Sequence, residues 1–251
     1  MSASPDLTRL RARIAALEGG GSEAVAGVVP LGVAEIDAVL PWGGLPLGCL
    51  HELALGPSGE GLDDGAGFGF AALLMGRLAV QAGKPVLWIG SGDPPYAPGL
   101  AALGLAPERL VVVRPYRAAQ ALWAMEEGLH CRALAGVLAE AWTLELTPVR
   151  RLQLAARASG VPAVVLNHGT PTGTAVTRWR VTGAPSRSDP ALGVGAWCWH
   201  VELLRCRGRG IDERGRVAAW DVEWNDETRG LRLAAAAGDR TAAPDWFRAA
   251  G

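Results

Sequence analysis

A strand, a glycine-rich loop and a helix in that order can cradle a phosphate, and residues 49–82 read in that order. Gly56 and Gly61, in GPSGEG, have the spacing of the two glycines in a G-x-x-x-x-G-K-[ST] loop. The lysine of such a loop neutralises the outer phosphates and its hydroxyl holds magnesium. Leu62 and Asp63 stand at those two positions, and Asp64 follows. Carboxylates thus fall where phosphates would lie, and Lys84 follows the helix at its far end. The loop has the outline of a phosphate site without its chemistry; on composition alone it reads equally as a surface loop.

Two further residues sit where an α/β protein places its chemistry. Glu140 follows the apolar run 134–139, where an acid orders magnesium in nucleotide-binding proteins. A single acid there serves more readily as a helix N-terminal charge or a solvated edge. His168, in LNHGTP, lies at a strand end, with no nucleophile or acid beside it in sequence. No G-x-S-x-G or H-E-x-x-H signature occurs, and the histidines and cysteines have no metal spacing. No catalytic residue, metal or cofactor is expected.

The C-terminal half carries arginine interleaved with tryptophan. Arg178, Trp179 and Arg180 are followed by Arg187, then by Arg205 and Arg207 around Cys206. Such side chains stack on bases or anchor a protein partner. Strand alternation puts Arg178 and Arg180 on one face and Trp179 on the other. Seven acids between Glu202 and Glu227 nearly balance these arginines, which argues against a large nucleic-acid footprint. Tryptophans in the core and arginines in water are an equal reading for any one of them.

These residues need a frame. Leu7, Leu10, Ile14 and Leu17 share one helical face, and Gly19-Gly20-Gly21-Ser22 breaks that helix. Residues 1–22 therefore read as a helical arm and linker, which packs on the domain or docks to a partner. Apolar runs at 49–55, 85–89, 110–113, 134–139 and 161–167 alternate with helical patterns at 70–82, 98–105, 118–129 and 148–159. Continuous apolar strands between amphipathic helices predict a doubly wound, mostly parallel sheet. Runs at 176–181, 197–206, 217–224 and 231–233 predict antiparallel strands extending it. The core domain spans 23–233, and 234–251 read as a loose tail.

The totals fit that frame. The chain has 251 residues and a net charge of −1, with no bulk attraction to nucleic acid or membrane. Arg77 and Gln81 interrupt the apolar run 71–82, and the N-terminus lacks a signal-peptide core, so no membrane segment is expected. Four scattered cysteines point to the reducing cytoplasm.

The order of motifs also resembles a family. Leu31 to Asp37, then Leu40, then Gly43-Gly44-Leu45-Pro46-Leu47-Gly48, with Glu52 as the final acid, is similar to the entry of the RecA-type core. The resemblance runs over about residues 28–233. Thr177 to Arg180, Pro185-Ser186, the strand from Trp197 to Arg207 and Trp220 to Trp224 resemble the ImuA family, the RecA-like and SulA-like proteins of bacterial mutagenesis cassettes. That resemblance implies a RecA-like fold and a role in damage-induced translesion synthesis. The implied partners are an ImuB-type Y-family polymerase homologue, an error-prone replicative-type polymerase and RecA, with DNA as a further candidate. Gly92 stands where RecA has its catalytic glutamate, with Asp93 adjacent, and His168 stands where RecA has its nucleotide-sensing glutamine. With Leu62 at the lysine position, three departures imply that hydrolysis is lost. A nucleotide-binding paralogue and a SulA-like division inhibitor remain the alternatives.

Overall fold

The apolar runs form the centre of one nine-stranded sheet in the computed structural model, which describes residues 25–55, 62–90, 92, 95–141, 146–186 and 195–234. The expected N-terminal arm and the tail beyond Ala234 lie outside the described residues. The chain enters through a two-stranded ribbon, β1 (Val28–Val29) against β2 (Leu45–Pro46), with α1 (Ala34–Val39) between them. The Asp37 carboxylate accepts the Leu31 and Gly32 amides at 2.7 and 3.0 Å, which fixes the turn into α1.

The core then runs β3 (Leu50–Ala54), α2 (Leu62–Ala82), β4 (Val86–Ile89), α3 (Ala97–Ala102), β5 (Leu110–Val113), α4 (Ala118–His130), β6 (Gly136–Ala141), α5 (Leu146–Ser159) and β7 (Ala163–Asn167). Four further strands follow: β8 (Thr177–Ala184), β9 (Cys198–Cys206), β10 (Ala218–Asn225) and β11 (Gly230–Leu233). The sheet order is β11-β10-β9-β8-β3-β7-β6-β4-β5. Strands β8, β3, β7, β6, β4 and β5 are parallel, and β9, β10 and β11 add on antiparallel.

Both faces of the parallel centre are covered. Phe70, Leu73, Leu74 and Leu78 of α2 pack on one face with Leu53, Trp88, Leu138 and Trp179. Met125 and Leu129 of α4, with Leu152 and Ala156 of α5, pack on the other with Leu50, Val137 and Val165. Every residue of β3, β4 and β7 is buried, which is why those strands read as mostly apolar runs, with His51, Glu52 and Asn167 as the buried polar exceptions. Burial of each large apolar side chain contributes about 1.5–3 kcal/mol. The expected α/β, doubly wound, mostly parallel class is what forms.

Three expectations change. Helix α2 begins at Leu62, not near residue 70. Gly65, Gly67 and Gly69 disfavour a helix intrinsically, and of these Gly67 is held by close packing. A Cβ on Gly67 would collide with Leu55, and one on Gly76 would meet the Gly104 carbonyl carbon at 2.9 Å. Second, Gly65–Ala82 is long and apolar enough to cross a membrane by composition, despite Arg77 and Gln81. Most of it is buried against the sheet, and those two side chains bond the β1 ribbon: Arg77 donates to the Pro30 carbonyl and Gln81 to that of Val28. Third, Glu140 lies within β6 rather than after it.

Candidate functional site

Two concave regions lie on opposite faces of the sheet. The first opens at the carboxyl ends of β4 and β6, where ligands bind in open α/β sheets. It has a volume of about 840 Å³ and is walled by the start of α2, by α3 and by the β8 and β9 ends. Phe68 and Trp88 stack at its floor, centroids 6.3 Å apart and rings 14° from parallel. Trp199 is buried beside them, while Tyr96 and Trp197 stand exposed at the rim.

Glu140 is the charged residue among the described lining, and no arginine or lysine joins it. Partial burial pushes its carboxyl above the usual range, against the opposing pull of the His168 ring and a hydrogen bond from Trp88. A Cβ on Gly90 would come within 2.6 Å of Glu140 Oε1, so glycine there leaves room for the carboxylate. The structure thus brings Glu140 and His168 together, as their strand-end positions predict. Gly56 and Gly61 lie outside the described residues, as do the side chains of Leu62 and Asp63.

The second region lies on the other face, between residues 171–175 and the β8–β9 pair. It is a groove of about 420 Å³ lined by Arg178, Arg180, Arg205 and Arg214, with Glu52 at its base. Glu52 is 1% exposed. A buried carboxylate is stable only when its lone pairs are occupied. Here Asn167 Nδ2 donates to Oε1 at 2.8 Å, and the Thr172 amide and hydroxyl donate to Oε2 at 3.1 and 2.8 Å. Arg178 Nε stands 3.1 Å from Oε1 and completes the charge balance. Arg180 pairs with Glu202 at 3.3 Å, and Arg205 donates to the Gly173 carbonyl at 2.6 Å. The Arg207 amide donates to Val176, and its side chain is exposed. Arg187 lies outside the described residues.

Trp179 is corrected from a contact residue to a core residue. It is 1% exposed, packs near Phe70 and Trp220, and offers no surface to a partner. Its indole N–H donates to Thr177 Oγ1 at 2.8 Å. Thr177 Oγ1 lies 2.8 Å from His51 Nδ1, and His51 Nε2 lies 2.9 Å from the Pro46 carbonyl. A carbonyl only accepts, so Nε2 carries the proton and Nδ1 accepts from the Thr177 hydroxyl. Burial pushes the His51 pKa down to about 4, outweighing the Pro46 hydrogen bond that raises it. Arg178, expected at a partner or DNA surface, has its side chain mostly buried against Glu52.

Sequence reading missed the partners of Glu52 and the aromatic wall. One signal was available: an acid in the middle of the apolar run LHELAL must be paired when the strand is central.

No family model matches the chain. Two curated relatives do, each named Protein ImuA and each from Caulobacter vibrioides, strains NA1000 / CB15N and ATCC 19089 / CIP 103742 / CB 15. Both are 36% identical over 220 residues, covering 81% of this chain and 86% of the relative.

Proposed function

The chain belongs to the ImuA family, and from that premise we propose that it is a non-catalytic, RecA-like accessory protein of damage-induced translesion synthesis. In this reading it works in the cytoplasm and assembles with an ImuB-type polymerase homologue. The error-prone replicative-type polymerase, RecA and DNA are further partners of the same assembly.

One observation carries the non-catalytic part. The crevice at the carboxyl ends of β4 and β6 has a carboxylate and aromatic rings among its described lining, and no basic residue. A triphosphate binds through positive charge and amide donors. Leu62 and Asp63 at the lysine and hydroxyl positions point the same way. The strand order also supports the RecA-like reading, because β3 and the Glu140 strand β6 flank β7, which leads into the segment over the arginine groove.

Titration with ATP and magnesium, followed by thermal denaturation, tests this. A ligand at 100 times its Kd would add about 2.7 kcal/mol of stability. The expected result is no shift. A saturable shift would favour the nucleotide-binding paralogue instead. Cell filamentation on overproduction, without capture of a polymerase homologue, would favour the division inhibitor.

A further inference from the structure

The aromatic crevice has a binding capacity of its own once nucleotide is set aside. An 840 Å³ cavity walled by Phe68, Trp88, Trp197 and Trp199, with Glu140 as its described charge, suits a cation presented beside apolar groups. A guanidinium meets both demands. Its plane stacks on an indole, and its paired N–H groups bond a carboxylate. Partial desolvation makes ionised Glu140 costly, and the His168 ring and the Trp88 hydrogen bond offset only part of that cost. In sequence next to the lining acids outnumber bases: Glu60, Asp63 and Asp64 precede Gly65 and Asp93 follows Gly92, against Arg187 after Ser186.

The chain carries a segment of the matching chemistry. Residues 245–248 read Asp-Trp-Phe-Arg, two adjacent aromatics followed by a guanidinium, in a stretch otherwise mostly of alanine, glycine and small polar residues, with Arg240 and Pro244 before them. The span is sufficient. Six strand steps separate β11 from β6, roughly 29 Å at about 4.8 Å per step. Fourteen positions separate Ala234 from Arg248, roughly 46 Å at about 3.3 Å per residue.

We infer that the crevice is a receptor for a cationic, aromatic peptide segment, and that its occupant is Trp246-Phe247-Arg248 of the same chain. Arg248 pairs with Glu140, and Trp246 and Phe247 cover the rings at the rim. This goes beyond the accessory role, because it gives the crevice a ligand class and an occupant.

The test uses the full chain with photoreactive p-benzoylphenylalanine in place of Phe247. After irradiation, cross-links within one chain are expected to peptides containing Trp88, Tyr96 or Trp197. Glu140→Lys is expected to lower their yield about tenfold, the scale of one charge-assisted pair. Adding Arg248→Glu to that variant restores the yield. If Glu140→Lys fails to fold, Glu140→Gln and the exposed-rim variant Trp197→Ala each lower the yield in a folded chain. Cross-links to other elements, links only between two chains, or a yield indifferent to Glu140 and Trp197 overturn the inference. Polymerase-homologue capture is a separate readout, so failure of either proposal is visible without the other.

Discussion

The crevice and the groove are near-opposites built on one sheet. The crevice stands at the end where an α/β protein binds phosphate, yet its described lining holds aromatic rings and one carboxylate. The groove lies on the other face, and four arginines surround one carboxylate there. Strand alternation explains the separation. Trp179 and Val181 enter the α2-side core, so Arg178 and Arg180 project from the far face. Among the described residues the two concave surfaces thus differ in sign: arginines line the groove, and a carboxylate stands at the phosphate end.

The largest effect is expected at the base of the groove. Glu52→Ala strands the Arg178 guanidinium and removes the acceptor of Asn167 and Thr172. It should cost about 3–5 kcal/mol, read by chemical denaturation. A loss under 1 kcal/mol would mean that the groove is not organised by this carboxylate.

On the other side of β3, His51 gives a pH signature. Its folded pKa of about 4 lies below its ordinary 6.5, so the unfolded chain binds the extra proton first. Stability contributed by neutral His51 is complete above pH 6.5 and is lost as pH falls through 6.5 towards 4. The loss by pH 4 is about 3 kcal/mol, and His51→Gln should flatten that part of the stability-versus-pH curve. An unchanged slope would contradict the proton placement derived for the His51–Thr177–Trp179 chain.

Gly76→Ala tests the packing that positions the crevice wall. Its Cβ would press on the Gly104 backbone, and the expected cost is about 1–3 kcal/mol of stability by thermal denaturation. The smallest effect belongs to Arg180 in the groove and to exposed Arg207 beyond its lining. Arg180→Ala and Arg207→Ala should each change stability by no more than about 0.5 kcal/mol while weakening partner capture. Unaltered capture by the double variant would remove the groove from the partner surface.

Much of this architecture can be read from residues. Strand β4 is apolar throughout, and β6 and β7 are apolar up to Glu140 and Asn167 near their carboxyl ends, because both faces are covered; the amphipathic patterns of α4 and α5 mark their buried sides. The first turns of α2 cannot be read that way, since Gly65, Gly67 and Gly69 argue against a helix, and the contact that holds Gly67 is with Leu55 of the preceding segment. Strands β1 and β2 have two residues each, too short for any period. Glu140 and His168 are legible because strand ends gather α/β sites, but the rings around Glu140 come from four separate elements. The Glu52–Arg178 pair joins residues on neighbouring strands that are far apart in sequence. Burial then separates Trp179 from the arginines beside it, a division that alternation anticipates and composition does not.

The most direct test of the accessory role is affinity capture of a tagged full chain from DNA-damaged cells, with bound proteins identified by mass spectrometry. The account predicts recovery of an ImuB-type polymerase homologue, undiminished when ATP is depleted. Recovery of the division protein alone, of no partner, or of a polymerase homologue only when ATP is present would contradict it.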